Sequence, residues 1–492
     1  MRSRPFIALT LLFSIIASMT SCGDNTTEIT NDTVTPPDEE SLTTVQSGSG
    51  VPSDLKLNGE EINIWYTNDQ VPSYTDINPE LSGDVMDDAV YNLNLAVQNR
   101  LDCKLNFSQA VSESAQCHNE ISKLLLADDT SYDVFFVTQW TGAKLVAEGL
   151  YLNVADAPYL SLDEPWWDKD YMSEMSIGND KLYTLVGDYA IDRTRYLTCC
   201  YYNKNLWNSF YGDDSSLYES VENGEWDYDM LARVCADVYQ DANNNGSVDR
   251  DDRLGASICW NDDIMSLLYC TGVRITERDK DGIPQIIMNS ERNNNIFQKL
   301  YTLARKSDGI LYGDQTETIE EQLNSSKFVG GSSMFMFGAF STAELFRDMK
   351  DDYGIVPIPK FDQNQTEYKS TVSMVMRFMA LPYNCQKADS VCAVLEEMAY
   401  TGYNDVIPVY YETVLKNKYA RDDISVKMID MIRDNLTTDI ACVYGTGFGA
   451  IYVMPRDLIK SDSNSFASKF ASMEKSAKKA SEKLIEQFTE LE

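Results

Sequence analysis

Histidine is almost absent from this chain of 492 residues, because His118 is the only one. Imidazole is the usual acid–base group near neutral pH and a frequent metal ligand, so its scarcity argues against both kinds of site. His118 stands between a cysteine and an asparagine in a polar stretch, which indicates a surface residue. Histidine-based chemistry is therefore excluded as the main activity.

Basic residues are also few. Lys and Arg total 41 against 77 Asp and Glu, which gives a formal net charge of −36. Binding to phosphate backbones needs basic patches, so this balance argues against a nucleic-acid partner. The sequence also lacks a Gly-x-Ser-x-Gly elbow, a phosphate-binding Gly-rich loop and zinc-type cysteine spacing. An acidic chain with 29 tyrosines and almost no histidine is typical of a binding protein rather than a catalyst.

No apolar run is long enough to span a bilayer, which takes about 20 residues. The longest run covers residues 6–19, follows two arginines and ends in Met19-Thr20-Ser21-Cys22. This pattern predicts a signal peptide over 1–21. The small residues before the cysteine are similar to a bacterial lipobox, in which Cys22 is lipidated, although Met19 stands where Leu is usual. The alternative is an ordinary secretory signal with an incidental cysteine.

Residues 23–56 are rich in Thr, Ser, Asp, Asn, Gly and Pro and contain few large apolar side chains. Such a segment buries too little surface to fold alone. Random-coil scaling gives it a reach on the order of 30 Å. We therefore predict a lipidated Cys22 and a flexible tether over 22–56, which would hold a folded body at the outer face of the cell membrane.

Strand patterns alternate with helix patterns in both halves of the body. The alternation at 61–66 predicts a strand, the apolar spacing over 85–101 predicts a helix, and the apolar run at 133–137 predicts a buried strand. The second half repeats these patterns, at 198–202, 228–239, 254–258, 289–305, 333–337, 353–357, 389–400 and 466–491. The alternation indicates doubly wound α/β lobes, in which ligands lie beyond the carboxyl ends of the strands.

The sharpest motif is the twelve-residue segment 241–252. Oxygen-bearing side chains stand at its positions 1, 3, 5, 9 and 12, and Gly246 stands at position 6. Ca²⁺ takes six to eight oxygen ligands, and glycine permits the turn that aims them inward. Only three of the side chains are carboxylates, so we expect modest affinity. The alternative is an Asn/Gly turn without metal. The candidate ligands are Asp241, Asn243, Asn245, Ser247, Asp249 and Asp252.

Further short stretches follow the lipobox-like leader in a consistent order. They are 85–101, Pro165-Trp166-Trp167-Asp168, 181–183, 202–206, 225–226, 353–360 and 409–412. Each is weak alone, but together, over about 400 residues, they resemble the sugar-type solute-binding lipoproteins of bacterial ABC importers.

The resemblance implies a type II periplasmic-binding-protein-like fold with two lobes joined by crossing segments. It also implies a monomer that traps a sugar between the lobes and delivers it to membrane permease subunits, because the ligand favours the closed form. By analogy, the crossings lie near 190–197, 370–380 and 405–415. Lobe 1 then takes 57–190 and 375–410, and lobe 2 takes 191–374 and 411–492.

A sugar site needs aromatic platforms and polar side chains that both donate and accept hydrogen bonds. The predicted strand ends and loops that face the cleft offer both kinds of side chain. The candidate ligand-binding residues are Trp65, Tyr66, Asn68, Asp69, Gln139, Trp140, Tyr202, Trp260, Asp262, Phe337, Phe340, Arg377 and Tyr444.

Ten cysteines remain in the body besides Cys22, and outside the cell they could form disulfides. Six of them lie in predicted strands or helices, which favours buried free thiols: Cys103, Cys199, Cys200, Cys235, Cys259 and Cys270. Two other functions stay open at this stage. One is a tethered extracellular glycoside hydrolase with two catalytic carboxylates. The other is a solute-sensing lipoprotein of the same fold without a transport role.

Overall fold

The computed structural model describes residues 48–67, 77–110, 114–178, 181–313, 327–346, 348–373, 375–412 and 423–491, which belong to one compact unit. The predicted signal peptide, Cys22 and the candidate ligands Asn68 and Asp69 lie outside the described residues. Within them, no helix combines the length and the apolar character needed to cross a bilayer.

The strands divide between two mixed sheets and one small hairpin. They are β1 Glu60–Tyr66, β2 Cys103–Gln109, β3 Val134–Thr138, β4 Thr198–Asn203, β5 Leu254–Cys259, β6 Thr276–Arg278, β7 Pro284–Ile286, β8 Ile310–Gly313, β9 Ser333–Ala339, β10 Tyr353–Val356 and β11 Arg377–Ala380. The predicted strands at 61–66, 133–137, 198–202, 254–258, 333–337 and 353–357 are thus confirmed. The sequence patterns had not indicated the β6–β7 hairpin.

Helices cover both sheets. They are α1 Val85–Leu101, α2 Ser114–Leu126, α3 Gln139–Ala147, α4 Lys169–Glu174, α5 Asp192–Arg195, α6 Lys204–Tyr211, α7 Ser215–Glu222, α8 Tyr228–Val238, α9 Asp262–Tyr269, α10 Glu291–Lys306, α11 Ala388–Thr401, α12 Ile407–Tyr410, α13 Asp423–Asp434, α14 Ile440–Val443, α15 Met454–Lys460 and α16 Phe466–Glu490. Short 3₁₀ helices cover Phe340–Phe346, Gly445–Phe448 and Ile451–Val453, and a π-helical turn covers Gly402–Val406.

The first sheet has the order β11-β3-β1-β2. Strand β1 runs parallel to β2 and β3, whereas β11 is antiparallel to β3 and places Arg377 opposite Thr138. The carboxyl ends of β1 and β3 therefore share one edge of the sheet with the start of β11. We call this edge the lobe 1 edge.

The second sheet has the order β10-β4-β9-β5-β8. Strands β5, β8 and β9 are parallel, and β4 is antiparallel to β9 with Thr198 opposite Ala339. The start of β4 therefore lies at the edge where β5 and β9 end. We call this edge the lobe 2 edge.

Two crossings join these edges side by side. The first runs through α5 into β4, and the second returns from β10 to β11. The two are hydrogen-bonded to each other, since Thr198 N donates to Thr371 O at 2.9 Å and Leu197 bridges to Val372. The predicted pair of α/β lobes is therefore confirmed, and the carboxyl ends of strands in both lobes lie on the sides that meet at the crossings.

A third connection passes from α12, which packs against α1 of the first lobe, to α13, which packs against β10 of the second. Buried ion pairs fasten the crossings to one another. Arg377 Nε and Nη2 donate to Asp192 at 2.6 and 2.9 Å, and Arg433 of α13 donates to Asp188 at 2.9 Å.

Both ends of the body depart from the predicted boundaries. Gly50 N donates to buried Glu396 at 3.4 Å, and Arg100 Nη2 donates to Pro52 O at 2.8 Å, so this end of the predicted tether lies on the first lobe. Helix α16 contacts both lobes rather than lobe 2 alone. Its Phe466 ring lies 5.0 Å from Phe297, and its Phe488 ring lies 5.9 Å from that of Tyr183.

Candidate functional site

The lobe 1 edge carries buried polar atoms that have no hydrogen-bond partner. Thr67 follows β1, Thr138 ends β3 and Gln139 begins α3, so the two strand ends place these residues together. Each residue is at most 1% exposed, and Thr67 Oγ1, Thr138 Oγ1 and Gln139 Nε2 are without partners. Leaving a buried polar group unpaired is costly, so native proteins rarely do it without a reason. A site for a polar ligand is such a reason.

Tyr171 of α4 orients the Gln139 amide. Its hydroxyl donates to Gln139 Oε1 at 2.6 Å, which leaves the Nε2 group of the amide as the free donor. Burial raises the pKa of Tyr171, so this hydroxyl keeps its proton at neutral pH. Tyr171 was missed by sequence reasoning, because nothing in its local pattern distinguishes it from the other tyrosines.

The lobe 2 edge carries Trp260, Asn261 and Asp262, directly after β5. Asn261 Oδ1 accepts a hydrogen bond from Arg456 Nη1 at 2.7 Å, and the Lys460 ammonium lies 3.4 Å from the centre of the Trp260 ring. Both cations belong to α15. A cation over the indole ring occupies part of the surface that a sugar would use for stacking.

Two of the predicted aromatic platforms, Trp140 and Trp260, are partly exposed, and Asp262 is exposed. Trp140 is the second residue of α3, and the Lys144 ammonium lies 5.9 Å from its ring centre. Trp140 therefore stands beside Gln139 on the lobe 1 edge. These three residues are accessible to a solute in this arrangement of the lobes.

Four other predicted platforms are buried in the core, and their role in ligand binding stays a prediction. The rings of Trp65 and Phe135 lie 5.8 Å apart, and that of Tyr202 packs edge-on against Trp207 at 6.2 Å. Phe337 and Phe340 are likewise closed off from solvent. Tyr202 also lies far from the lobe 2 edge, because β4 is antiparallel to β9 and only its start reaches that edge.

Arg377 is committed to internal partners, and its predicted role in ligand binding is untested. Its guanidinium makes two bonds to Asp192, donates to Thr67 O at 3.1 Å and lies 4.2 Å from the Phe136 ring centre. Tyr444 is buried, with its ring 5.5 Å from that of Phe488, and Tyr66 is buried at the end of β1. All three side chains are buried in this structure.

The 241–252 loop is held by its own hydrogen bonds. Asp249 Oδ2 accepts from the side-chain amides of Asn243 and Asn245 at 3.0 and 2.5 Å. Asp252 accepts from the Tyr239 hydroxyl and from the Ala242 amide. Across the described ranges, no three His, Cys, Asp or Glu side chains form a group that could hold a metal ion. Calcium binding by this loop stays a prediction.

No family model matches this chain, and no curated protein matches it in sequence. Several solved structures, however, match its fold. An ABC substrate-binding protein from Listeria monocytogenes, in complex with cycloalternan, is 13% identical, with a TM-score of 0.53 over 86% of this chain and 99% of that one.

Two further solved structures, both of sugar-binding proteins, have a similar fold. A cyclo/maltodextrin-binding protein with maltotetraose is 10% identical, with a TM-score of 0.55 over 88% of this chain and 98% of that one. A solute-binding protein of an ABC transporter from Thermotoga lettingae, bound with α-D-tagatose, is 13% identical, with a TM-score of 0.53 over 87% and 100%. At identities this low, the structural similarity establishes the fold alone. The predicted type II periplasmic-binding-protein-like architecture is thereby confirmed.

Proposed function

We propose that the protein is the substrate-binding component of an ABC importer, and that it captures a sugar or an oligosaccharide between its lobes. The proteins that share its fold in the comparisons above were solved with cycloalternan, maltotetraose and tagatose. All three are described as binding proteins rather than enzymes, which favours binding without turnover over the glycoside-hydrolase alternative.

The observation that carries the proposal is the set of unpaired polar atoms at the lobe 1 edge. Sugar hydroxyls donate and accept hydrogen bonds at once, so they can satisfy both the Thr138 hydroxyl and the Gln139 amide. The nearby cation, Arg377, is already compensated by Asp192. The edge therefore suits a neutral, hydroxyl-rich solute better than a charged one.

Capture follows from the geometry of the two lobes. A solute that contacts both edges gains its full set of contacts only when the lobes are closed, so binding shifts the population towards the closed form. The closed form then docks on permease subunits in the membrane. In this step the protein orders a solute and breaks no covalent bond.

The remaining parts of the proposal concern the location. Cys22 carries a lipid anchor after removal of residues 1–21, and the tether ends near residue 48, where the chain meets Glu396. The protein then works as a monomer at the outer face of the membrane, within a short reach of its permease.

A thermal-shift screen of neutral mono- and oligosaccharides tests the proposal. A ligand present at 100 times its Kd adds about 2.7 kcal/mol to the free energy of unfolding. We expect at least one sugar to stabilise the protein and to be recovered unchanged. Release of cleaved products would support the hydrolase instead, and the absence of stabilisation by every sugar would overturn the proposal.

Thr138→Val then tests the site. The substitution removes an unpaired buried hydroxyl at nearly constant volume, so stability should hold or rise, while affinity for the stabilising sugar should fall about tenfold. Thr302→Val, at an exposed position on α10, is the matched control and should leave the affinity unchanged. Equal affinity of the Thr138 variant and the control would remove Thr138 from the site.

A further inference from the structure

The end of helix α4 is held by two arginines, Arg278 at the end of β6 and Arg274 two residues before that strand. Arg274 Nη2 donates to the Glu174 carboxylate at 3.0 Å. Arg278 Nη2 donates to Ser173 O at 2.9 Å and to Glu174 O at 2.8 Å. The last carbonyls of a helix lack partners within the helix and carry partial negative charge, so a cation stabilises them. We call this set of contacts the latch.

The helix α4 belongs to the first lobe. Asp168, which caps its first turn, donates from its backbone N–H to Val186 O at 3.0 Å, and Tyr171 donates to Gln139 at the lobe 1 edge. The residue before Val186, Leu185, is in turn tied to the first sheet, because it pairs with Met379 of β11.

The hairpin belongs to the second lobe. Asn293 of α10 donates to Arg274 O at 2.7 Å. Asp439, which caps α14, accepts from the backbone amides of Ile275 and Thr276 at 2.8 and 2.9 Å. The bond from Asn293 thus fastens the Arg274 side within the second lobe, and the bonds of α4 described above lie within the first. Other contacts between the two sides lie beside the latch, since Gly178 N donates to Gly282 O at 3.5 Å and α14 contacts α3.

The latch lies one helix length from the hinge. The Asp168 carboxylate, at the start of α4, lies 3.8 Å from Arg193 of the first crossing, and six residues of α-helix advance by about 9 Å. A lobe rotation of about 15°, the size seen in known rigid-body transitions, moves the far end of that arm by roughly 2 Å. Such a shift exceeds the tolerance of a hydrogen bond, so opening about the crossings breaks the latch.

We propose that Arg274 and Arg278 are positioning residues. Their bonds to the end of α4 favour the closed arrangement of the lobes. The consequence for solute capture rests on the function proposed above. Contacts present only in the closed form raise the closed fraction, and the apparent Kd equals the intrinsic Kd divided by that fraction. Arg278→Ala loses bonds from a charged donor to two carbonyls and should weaken sugar binding about tenfold.

The first experiment needs no ligand. Small-angle scattering on the ligand-free secreted chain compares the radius of gyration of the wild type with those of Arg278→Ala and Glu174→Gln. Both variants should show a larger radius. Lys280→Ala is the matched control, because Lys280 stands on the same hairpin and, among the described residues, pairs with the adjacent, exposed Asp281 alone. It should scatter like the wild type, and all variants keep the same tether.

The second experiment measures the affinity of the sugar found in the screen. Arg278→Ala should bind it more weakly, Arg278→Lys should recover part of the loss, and Lys280→Ala should match the wild type. Unchanged radii together with equal affinities would overturn the latch. If no sugar binds any variant, the proposed function fails, while the scattering result still decides the latch. Circular dichroism of each variant confirms that it is folded.

Discussion

Replacing Asp192 with asparagine should lower the free energy of unfolding by about 3–5 kcal/mol, because it leaves the Arg377 guanidinium buried without a counter-charge. The two side chains are only 3% and 5% exposed, so solvent cannot replace the lost partner. The bonds are short and paired, at 2.6 and 2.9 Å, which is the two-point geometry in which a guanidinium and a carboxylate interact most strongly.

The expected cost belongs to the stranded charge rather than to the pair itself. The combined variant Asp192→Leu with Arg377→Met removes both charges and keeps much of the apolar volume, so it should lie within about 1 kcal/mol of the wild type or above it. The carbonyl of Thr67 loses its hydrogen bond from Arg377 in that variant, which limits how much of the free energy of unfolding is recovered.

Urea unfolding followed by tryptophan fluorescence measures these differences. Glu474→Gln is the control, since its partner Lys478 lies one helical turn away on the exposed face of α16, and such pairs contribute under about 0.5 kcal/mol. The reasoning would be refuted if Asp192→Asn cost no more than the control, or if the double variant were as unstable as the single one. The first result would mean that water reaches Arg377, and the second that the cost lies in lost bonds or packing rather than in the stranded charge.

Two further predictions concern the calcium loop and the thiols. Millimolar Ca²⁺ should raise the melting temperature of the wild type but not that of Asp241→Asn with Asp249→Asn, and an equal rise in both would exclude the loop. Burial raises the pKa of Cys103 to about 11 and that of Cys392 to about 12, so iodoacetamide at pH 8.5 should label the native body slowly and all ten body cysteines after denaturation. Since the folded pKa of Cys103 exceeds the unfolded one, its contribution to stability is complete at neutral pH and is lost as pH rises through about 11.

The local periodicity of apolar residues was sufficient to predict most of the strands and helices. The strand patterns at 198–202 and 254–258 correspond to β4 and β5, and the helix pattern at 228–239 corresponds to α8. These elements are specified by side chains close in sequence. The β6–β7 hairpin has only three residues in each strand and is held by Asp439 from far along the chain, so no local pattern announces it.

The site was predicted less well, because burial on both faces of a sheet is a property of the assembled lobes. Tyr202 and Phe337 stand near strand ends, as ligand platforms do, yet the helices above and below close over them. Arg377 was selected as a hydrogen-bond donor for a solute, and only the pairing of β11 with β3 brings it to Asp192. The adjacent Gln139 and Trp140 are at the lobe 1 edge as predicted, since β3 ends there.

The charged residues that join the lobes are different from the groups that we propose to bind the solute. Cations are scarce in this chain, and those near the crossings are committed to internal partners: Arg377 to Asp192, Arg193 and Arg433 to Asp188, and the latch arginines to Glu174. The buried groups at the lobe 1 edge are neutral hydroxyl and amide groups, while the exposed Lys144 stands beside Trp140. A charged solute would meet no uncompensated counter-charge among the buried groups and would lose its hydration there. Under the proposed function, a neutral sugar would exchange water hydrogen bonds for equivalent ones, so closing the lobes around it would carry only a small desolvation cost.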